Sequence, residues 1–263
     1  MSIKGCALRG PLIFIQYLGV SMIKKTDIRG LKIANVNMDE ALRFISDGLS
    51  SGKSLSVFTP NAEIAYRAIK DPSLMDIINR CDMAVPDGIG IVKASRILKR
   101  PLKEKVAGVE LGLKVAELAA LKAYKIFLYG GKPEVSKKAA VELKNKYPTL
   151  NVAGISHGYR NDTASVINEI NESGADILYV CLGSPRQEKW IDENRKSLKS
   201  VKLFMGLGGS LDVYSGNAKR APRIFIRLGL EWFYRLLSDP KRIFRMTALP
   251  RFYFGTWLYR FKQ

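Results

Sequence analysis

Five short runs rich in β-branched, aromatic and other apolar residues punctuate the chain: SLSVF (54–58), KIFLY (125–129), NVAGI (151–155), DILYVCL (176–182) and VKLFM (201–205). Apolar runs with so few polar interruptions fit strands of a sheet covered on both faces. Helical patterns stand between them. PEVSKKAAVELKNKY (133–147) and PRQEKWIDENRKSL (185–198) each open on proline, whose missing N–H costs nothing in a first helical turn. The alternation predicts an α/β domain over residues 27–215, doubly wound around a largely parallel sheet with helices on both faces. Neither an internal repeat nor a low-complexity linker interrupts it.

The pattern changes after Tyr214. Residues 216–263 show no strand alternation and are crowded with Arg, Trp, Phe and Tyr. On a helix over 222–237 and the residues just before it, positions 220, 223, 227, 231 and 235 line one face as Arg, Arg, Arg, Glu and Arg. Ile224, Phe225, Leu228, Trp232, Phe233 and Leu236 fill the other. Charge sharpens the contrast. The net charge is +19, and from Lys219 onward eleven Lys and Arg face only Glu231 and Asp239. A basic amphipathic helical appendage over 216–263 therefore either docks on the domain with a solvated charged face or lies on an anionic membrane surface. The aromatic and Arg excess continuing to Phe261 favours the membrane. Residues 1–26 form an N-terminal extension. GPLIFIQYLGV (10–20) is too short to span a bilayer and lacks a small-residue cleavage site, and Met22 reads as a natural start after an upstream stretch of 1–21.

Composition adds little beyond excluding some chemistries. Cys6, Cys81 and Cys181 have neither metal-ligand spacing nor an even disulfide framework, and the latter two read as small apolar residues beside strands. No Asp-x-Asp pair occurs, and the lone His157 reads as a loop residue, so the sequence gives a metal site little support. The turns after the strands are more informative, because ligands of open α/β sheets sit at the carboxyl ends of the strands. TPNAE follows the first strand, where Asn61 is placed to cap the next helix. GGKPE, GSPRQE and GLGGSLD follow later strands, with Gly130, Gly131, Gly183, Gly206, Gly208 and Gly209 letting backbone N–H groups approach an anion, and with polar Gln187 and Asp212 among them. Convergence of such turns at one edge points to a nucleotide. Asp87, in VPDGIGIV, stands after Pro86 and before two glycines. It either makes an Asx-turn or serves as a positioned carboxylate.

TPNAEI (59–64), VPDGIGIV (85–92), VAGVEL (106–111), FLYGG (127–131), LGSPRQEKW (182–190) and GLGGSLDVYSGNAKRAP (206–222), followed by a basic aromatic tail, together resemble the WecG/TagA/CpsF glycosyltransferases in order and spacing. The similarity spans about residues 27–245. It implies a hexosyltransferase that moves N-acetylmannosamine or a related sugar from a UDP donor to an undecaprenyl-diphosphate-linked GlcNAc acceptor, in cell-wall or surface polysaccharide synthesis. The implied reaction is inverting, uses no metal or cofactor, and runs at the inner, cytoplasmic face of the cell membrane. By the same resemblance Asp87 is the general base, and Thr59 and Asn61 touch the donor sugar or support the base. Gln187, in the turn that carries Gly183 and Pro185, contacts donor phosphate or sugar, and Asp212 accepts from the nucleotide. Arg220, Arg223 and Arg235 supply charge to the leaving diphosphate. Lys105 stands in EKVAG where the family often has Arg, which keeps the charge but loses the bidentate fork.

Two other classes remain open on the residues alone. A Rossmann-type oxidoreductase would suit the sheet but lacks the G-x-G-x-x-G fingerprint. A nucleic-acid-binding protein would suit the basic tail, yet the tail's charge lies on an amphipathic face, and no nucleic-acid partner is expected. A homo-oligomer is compatible with the sequence.

Overall fold

The computed structural model describes residues 23–218, 222, 225, 233–234 and 247–262. Arg220, Arg223 and Arg235, Cys6 and most of the helix expected over 222–237 lie outside the described residues, as does the stretch 1–22.

The chain opens with a hairpin of β1 (Lys25–Ile28) and β2 (Leu31–Ala34), paired antiparallel through a turn at Arg29 and Gly30, both at positive φ. After α1 (Met38–Ser50) come β3 (Leu55–Phe58), α2 (Ala62–Lys70), α3 (Pro72–Arg80), β4 (Met83–Ala84), α4 (Ile89–Ile97) and α5 (Gly108–Lys122). The second half runs β5 (Lys125–Gly130), α6 (Pro133–Lys146), β6 (Asn151–Ser156), α7 (Thr163–Ser173), β7 (Ile177–Cys181), α8 (Arg186–Asn194), β8 (Leu203–Gly206) and α9 (Ser210–Tyr214). A last helix, α10, spans Ala248–Arg260. β3 to β8 form one sheet in the order β4-β3-β8-β7-β5-β6, and every pairing in it is parallel.

The apolar runs are nearly continuous because both faces of this sheet are covered. Along β5, Ile126 and Leu128 enter one core with α1, α5 and α6, while Phe127 and Tyr129 enter the other with α2, α3, α7 and α8. β7 divides the same way, with Ile177, Tyr179 and Cys181 on the first side and Leu178 and Val180 on the second. This is the period-two alternation of a strand with two buried faces.

α10 packs on α2 and α4. Phe252 and Thr256 are fully buried there, and Phe252 belongs to the second core. Its opposite face leaves Phe254, Trp257, Leu258 and Phe261 exposed. Among the described residues no helix is long and apolar enough to cross a membrane.

Candidate active site

The C-terminal ends of the parallel strands bring the expected loops to one edge. Thr59 closes β3. It is buried, and its Oγ1 donates to the Gly206 carbonyl at 3.0 Å, joining the end of β3 to the end of β8. Gly108, at the start of α5, packs against the same side chain so closely that a Cβ there would lie 2.9 Å from Thr59 Oγ1. Asn61 caps α2, its Oδ1 accepting the Ile64 N–H at 3.0 Å, which leaves the Nδ2 donors for a ligand.

The turn that carries Asp87 is stitched to this loop by backbone bonds. The Val85 N–H donates to Phe58 O at 2.9 Å, and the Asp87 N–H to Pro60 O at 3.2 Å. From the other side the Val106 N–H donates to Pro86 O at 3.0 Å, which brings Lys105 to the same edge. Gly88 follows Asp87 with φ 82°, and a Cβ there would sit 3.9 Å from that of Asn61. Asp87 is half-buried, and its main chain is therefore fixed between the TPN turn and the segment that holds Lys105.

A second group forms around Gln187, which is 1% exposed. Its Oε1 accepts the Gly208 N–H at 2.8 Å, and its Nε2 donates to Glu188 Oε1 at 3.0 Å. Gly206 lies beneath it, where a Cβ would come within 3.1 Å of that Nε2. Glu188 is also buried, and burial pushes its carboxyl pKa up from the ordinary value of 4.5. The Arg67 guanidinium reaches in from α2, donating to the Ser184 carbonyl and pairing with Glu63 at 3.0 Å.

The third group joins the turns after β5, β6 and β7. Gly130 has φ 131°, and a Cβ on it would collide with Cys181 O at 2.3 Å. The Gly131 N–H donates to Cys181 O at 3.2 Å, and Gly131 O accepts the Gly158 N–H at 2.9 Å. Gly183 accepts the Gln187 N–H, and Pro185 precedes the first residue of α8. Neither α6 nor α8 has a side-chain cap at its N-terminus. Gly209 is exposed in the turn before α9, and Asp212 is half-buried on α9 itself.

Thr59, Asn61, Asp87 and Lys105 are thus one neighbourhood, and Gln187, Gly206 and Gly208 are the next along the sheet edge. His157 is a loop residue after β6, its Nδ1 accepting the Tyr159 N–H. Cys81 and Cys181 are buried thiols whose pKa burial pushes up to about 12. Among the described residues no three His, Cys, Asp or Glu side chains cluster as metal ligands would.

Two neighbours of the site are absent from the motif-based assignment. Glu188 is written in the sequence beside Gln187, but its burial depends on the helix phase of α8. Tyr253, on α10, has its hydroxyl 3.4 Å from where a Cβ of Gly90 would lie, and no local pattern links two residues so far apart in the chain.

Comparison with known proteins places the chain in a family. The model of the glycosyl transferase WecG/TagA/CpsF family matches residues 26–263. The chain is 38% identical over 226 residues to an N-acetylglucosaminyldiphosphoundecaprenol N-acetyl-beta-D-mannosaminyltransferase of Bacillus subtilis (strain 168), covering 86% of this chain and 88% of that protein. It is 37% identical over 231 residues to a protein of the same name from Staphylococcus aureus (strain MRSA252), covering 87% and 90%. The chain therefore belongs to the WecG/TagA/CpsF family and is a hexosyltransferase.

Proposed function

We propose that the protein transfers N-acetylmannosamine from a UDP-sugar to a GlcNAc carried on undecaprenyl diphosphate, by a single displacement that inverts the anomeric centre and needs no metal. The observation that carries this reading is the fixed place of Asp87 beside Asn61, at the edge where the glycine turns converge. Transfer requires removal of the proton from the acceptor hydroxyl as its oxygen attacks, and a carboxylate with an anchored main chain suits that task. The relatives are named for a β-linked product, which is what one displacement on an α-linked nucleotide donor gives.

The acceptor oxygen forms its bond to the anomeric carbon while the bond to the UDP oxygen breaks. The proton passes to Asp87, and the electron pair leaves on the diphosphate. Lys105, the Asn61 Nδ2 donors and the N–H groups of Gly183 and Gly209 are the groups that hold the donor, while Gly131 and Gly208 give their N–H groups to Cys181 O and Gln187 Oε1 and so shape the turns around it. Gln187 acts on it through Gly208. Arg220, Arg223 and Arg235 supply further positive charge to the departing diphosphate. With no Asp-x-Asp pair to bind a cation, that charge has to come from the protein. The reaction belongs at the inner membrane surface, and the exposed aromatic face of α10 supports that location.

The test is UDP release from a panel of UDP-sugars with a short-chain lipid-diphosphate-GlcNAc acceptor, with and without EDTA. Release that depends on both UDP-N-acetylmannosamine and the acceptor, and survives chelation, is the expected outcome. Release only in the presence of added Mn²⁺ would overturn the metal-free mechanism, and a preference for another sugar would overturn the donor.

A further inference from the structure

We propose that the groove between α2 and α10 binds the diphosphate of the lipid-linked acceptor through Tyr66, Lys70 and Arg251, an assignment that rests on the acceptor class proposed above. The groove has a volume of about 390 Å³, and Glu63, Tyr66, Arg67, Lys70, Thr247 and Arg251 line it. On α2 the positions 63, 66, 67 and 70 step by three and four, so they form one stripe, while Ala62, Ala65 and Ala68 are buried on the other side.

The charges in the groove fall into two sets. Arg67 is engaged with Glu63 and with the Ser184 carbonyl, which cancels the Glu63 charge and ties this wall to the β7–α8 turn. Asp71, at the far end, lies 3.6 Å from Lys189. Lys70 and Arg251 instead converge on a neutral phenol. The Lys70 Nζ is 4.6 Å from the centre of the Tyr66 ring, and Lys70 followed by Arg251 draws the Tyr66 hydroxyl below its ordinary pKa. Two cations directed at one hydroxyl repel each other, and an anion seated between them relieves that repulsion and gains charge-assisted hydrogen bonds.

Position along the helix selects the ligand. Tyr66 and Lys70 come five and nine residues after Asn61, about 7.5 and 13.5 Å along α2 at 1.5 Å per residue. Asn61 adjoins the turn of Asp87. A sugar whose hydroxyl meets Asp87 therefore extends its anomeric end, and the diphosphate attached to it, along α2 into this groove. One turn beyond Arg251, α10 exposes Phe254, Trp257, Leu258 and Phe261, spaced i, i+3, i+4 and i+7 on one face. A free phosphate or a nucleotide gains nothing from such a track, whereas a diphosphate with a hydrocarbon tail does.

The experiment compares the wild-type protein with Lys70→Ala/Arg251→Ala, both positions being exposed, after thermal melts show that both proteins are folded. Transfer is measured in detergent to a short-chain lipid-diphosphate-GlcNAc and to a GlcNAc alkyl glycoside without phosphate. Loss of two charge-assisted contacts should lower the kcat/KM preference for the diphosphate acceptor at least about tenfold, chiefly through KM. Equilibrium binding of a short-chain lipid diphosphate without sugar should weaken by a similar factor, and this reads the groove independently of turnover. An unchanged acceptor preference together with unchanged binding would overturn the assignment. So would a variant that loses only its sedimentation with anionic phospholipid vesicles, because the groove would then hold membrane headgroups. A wild-type protein that binds the lipid diphosphate yet transfers to neither acceptor would instead fail the proposed function.

Discussion

The hydroxyl of Thr59 donates to the carbonyl of Gly206 across 3.0 Å, adding a side-chain bond at the end of the parallel β3–β8 ladder, where both strands reach the site. Thr59 is buried, so water cannot replace the bond. Thr59→Val keeps the shape and strands the carbonyl. Unfolding in urea should show a loss of about 1–3 kcal/mol, the usual cost of a buried unsatisfied acceptor. A variant as stable as the wild type would mean that the carbonyl has found another donor.

Asp87 provides the sharpest test of the chemistry. Asp87→Asn preserves the backbone bond to Pro60 and the size of the side chain, so UDP binding should be near normal. Turnover should fall on the order of 100- to 10,000-fold, as loss of a general base does. Steady-state kinetics alongside calorimetric UDP titration separates the two, and a variant above a tenth of the wild-type rate would remove Asp87 from the role.

Gly130 and Gly52 separate close approach from backbone conformation. Both have positive φ, but an added Cβ meets nothing within 4 Å at Gly52 and lies 2.3 Å from Cys181 O at Gly130. Gly52→Ala should cost about 1–2 kcal/mol from the left-handed backbone alone. Gly130→Ala should exceed about 3 kcal/mol, because the β5–β7 pairing must also shift. Thermal melts of the two variants give the comparison.

These contrasts mark what local sequence conveys. The strands β3, β5, β7 and β8 are legible because both faces are buried, so each leaves a dense apolar run, whereas β6, at the sheet edge with Asn151 and Ile155 exposed, is legible from its composition. The two-residue β4, Met83–Ala84, is too short for any periodicity and exists only because Phe58 O is there to accept the Val85 N–H. The β1–β2 hairpin escapes for a similar reason, since KTDI and LKIA show little beyond mixed polarity. At the site, glycines before helices announce an anion-binding edge, but not which amides the protein itself uses. Gly208 gives its N–H to Gln187, and that pairing depends on the fold that brings β7 and β8 side by side.

Glu188 should leave a mark on stability as a function of pH. Its carboxyl is buried against Gln187, and its folded pKa lies above the unfolded value near 4.5. Between those two values the folded state binds more protons than the unfolded one, so this group's contribution to stability falls as pH rises. Glu188→Gln retains an acceptor for the Gln187 Nε2 and removes the titration. The stability of the variant relative to wild type should therefore grow from pH 4.5 upward and level off above the folded pKa. Urea unfolding of both proteins across that range tests it, and parallel curves would show that the carboxyl titrates alike folded and unfolded.

α10 presents two faces, and they should respond to substitution in different assays. Phe252 is fully buried in the second core, and its backbone carbonyl accepts the Thr256 hydroxyl at 2.7 Å. Phe252→Ala should cost about 3–5 kcal/mol, the range for removing a buried aromatic ring, and should loosen the helix from α2 and α4. On the outer face Trp257 is 49% exposed, with its ring edge-on to Phe261 at 4.5 Å and near-parallel to Phe254 at 6.5 Å. These rings touch one another rather than the domain core, so Trp257→Ser should change stability by less than about 0.5 kcal/mol, as surface substitutions generally do. If the outer face inserts at the headgroup level, as clustered aromatic and basic residues favour, the same change should weaken sedimentation with anionic vesicles. Vesicle binding that survives Phe254→Ser/Trp257→Ser/Phe261→Ser would assign membrane contact to charge alone, and raising the salt concentration would then abolish it.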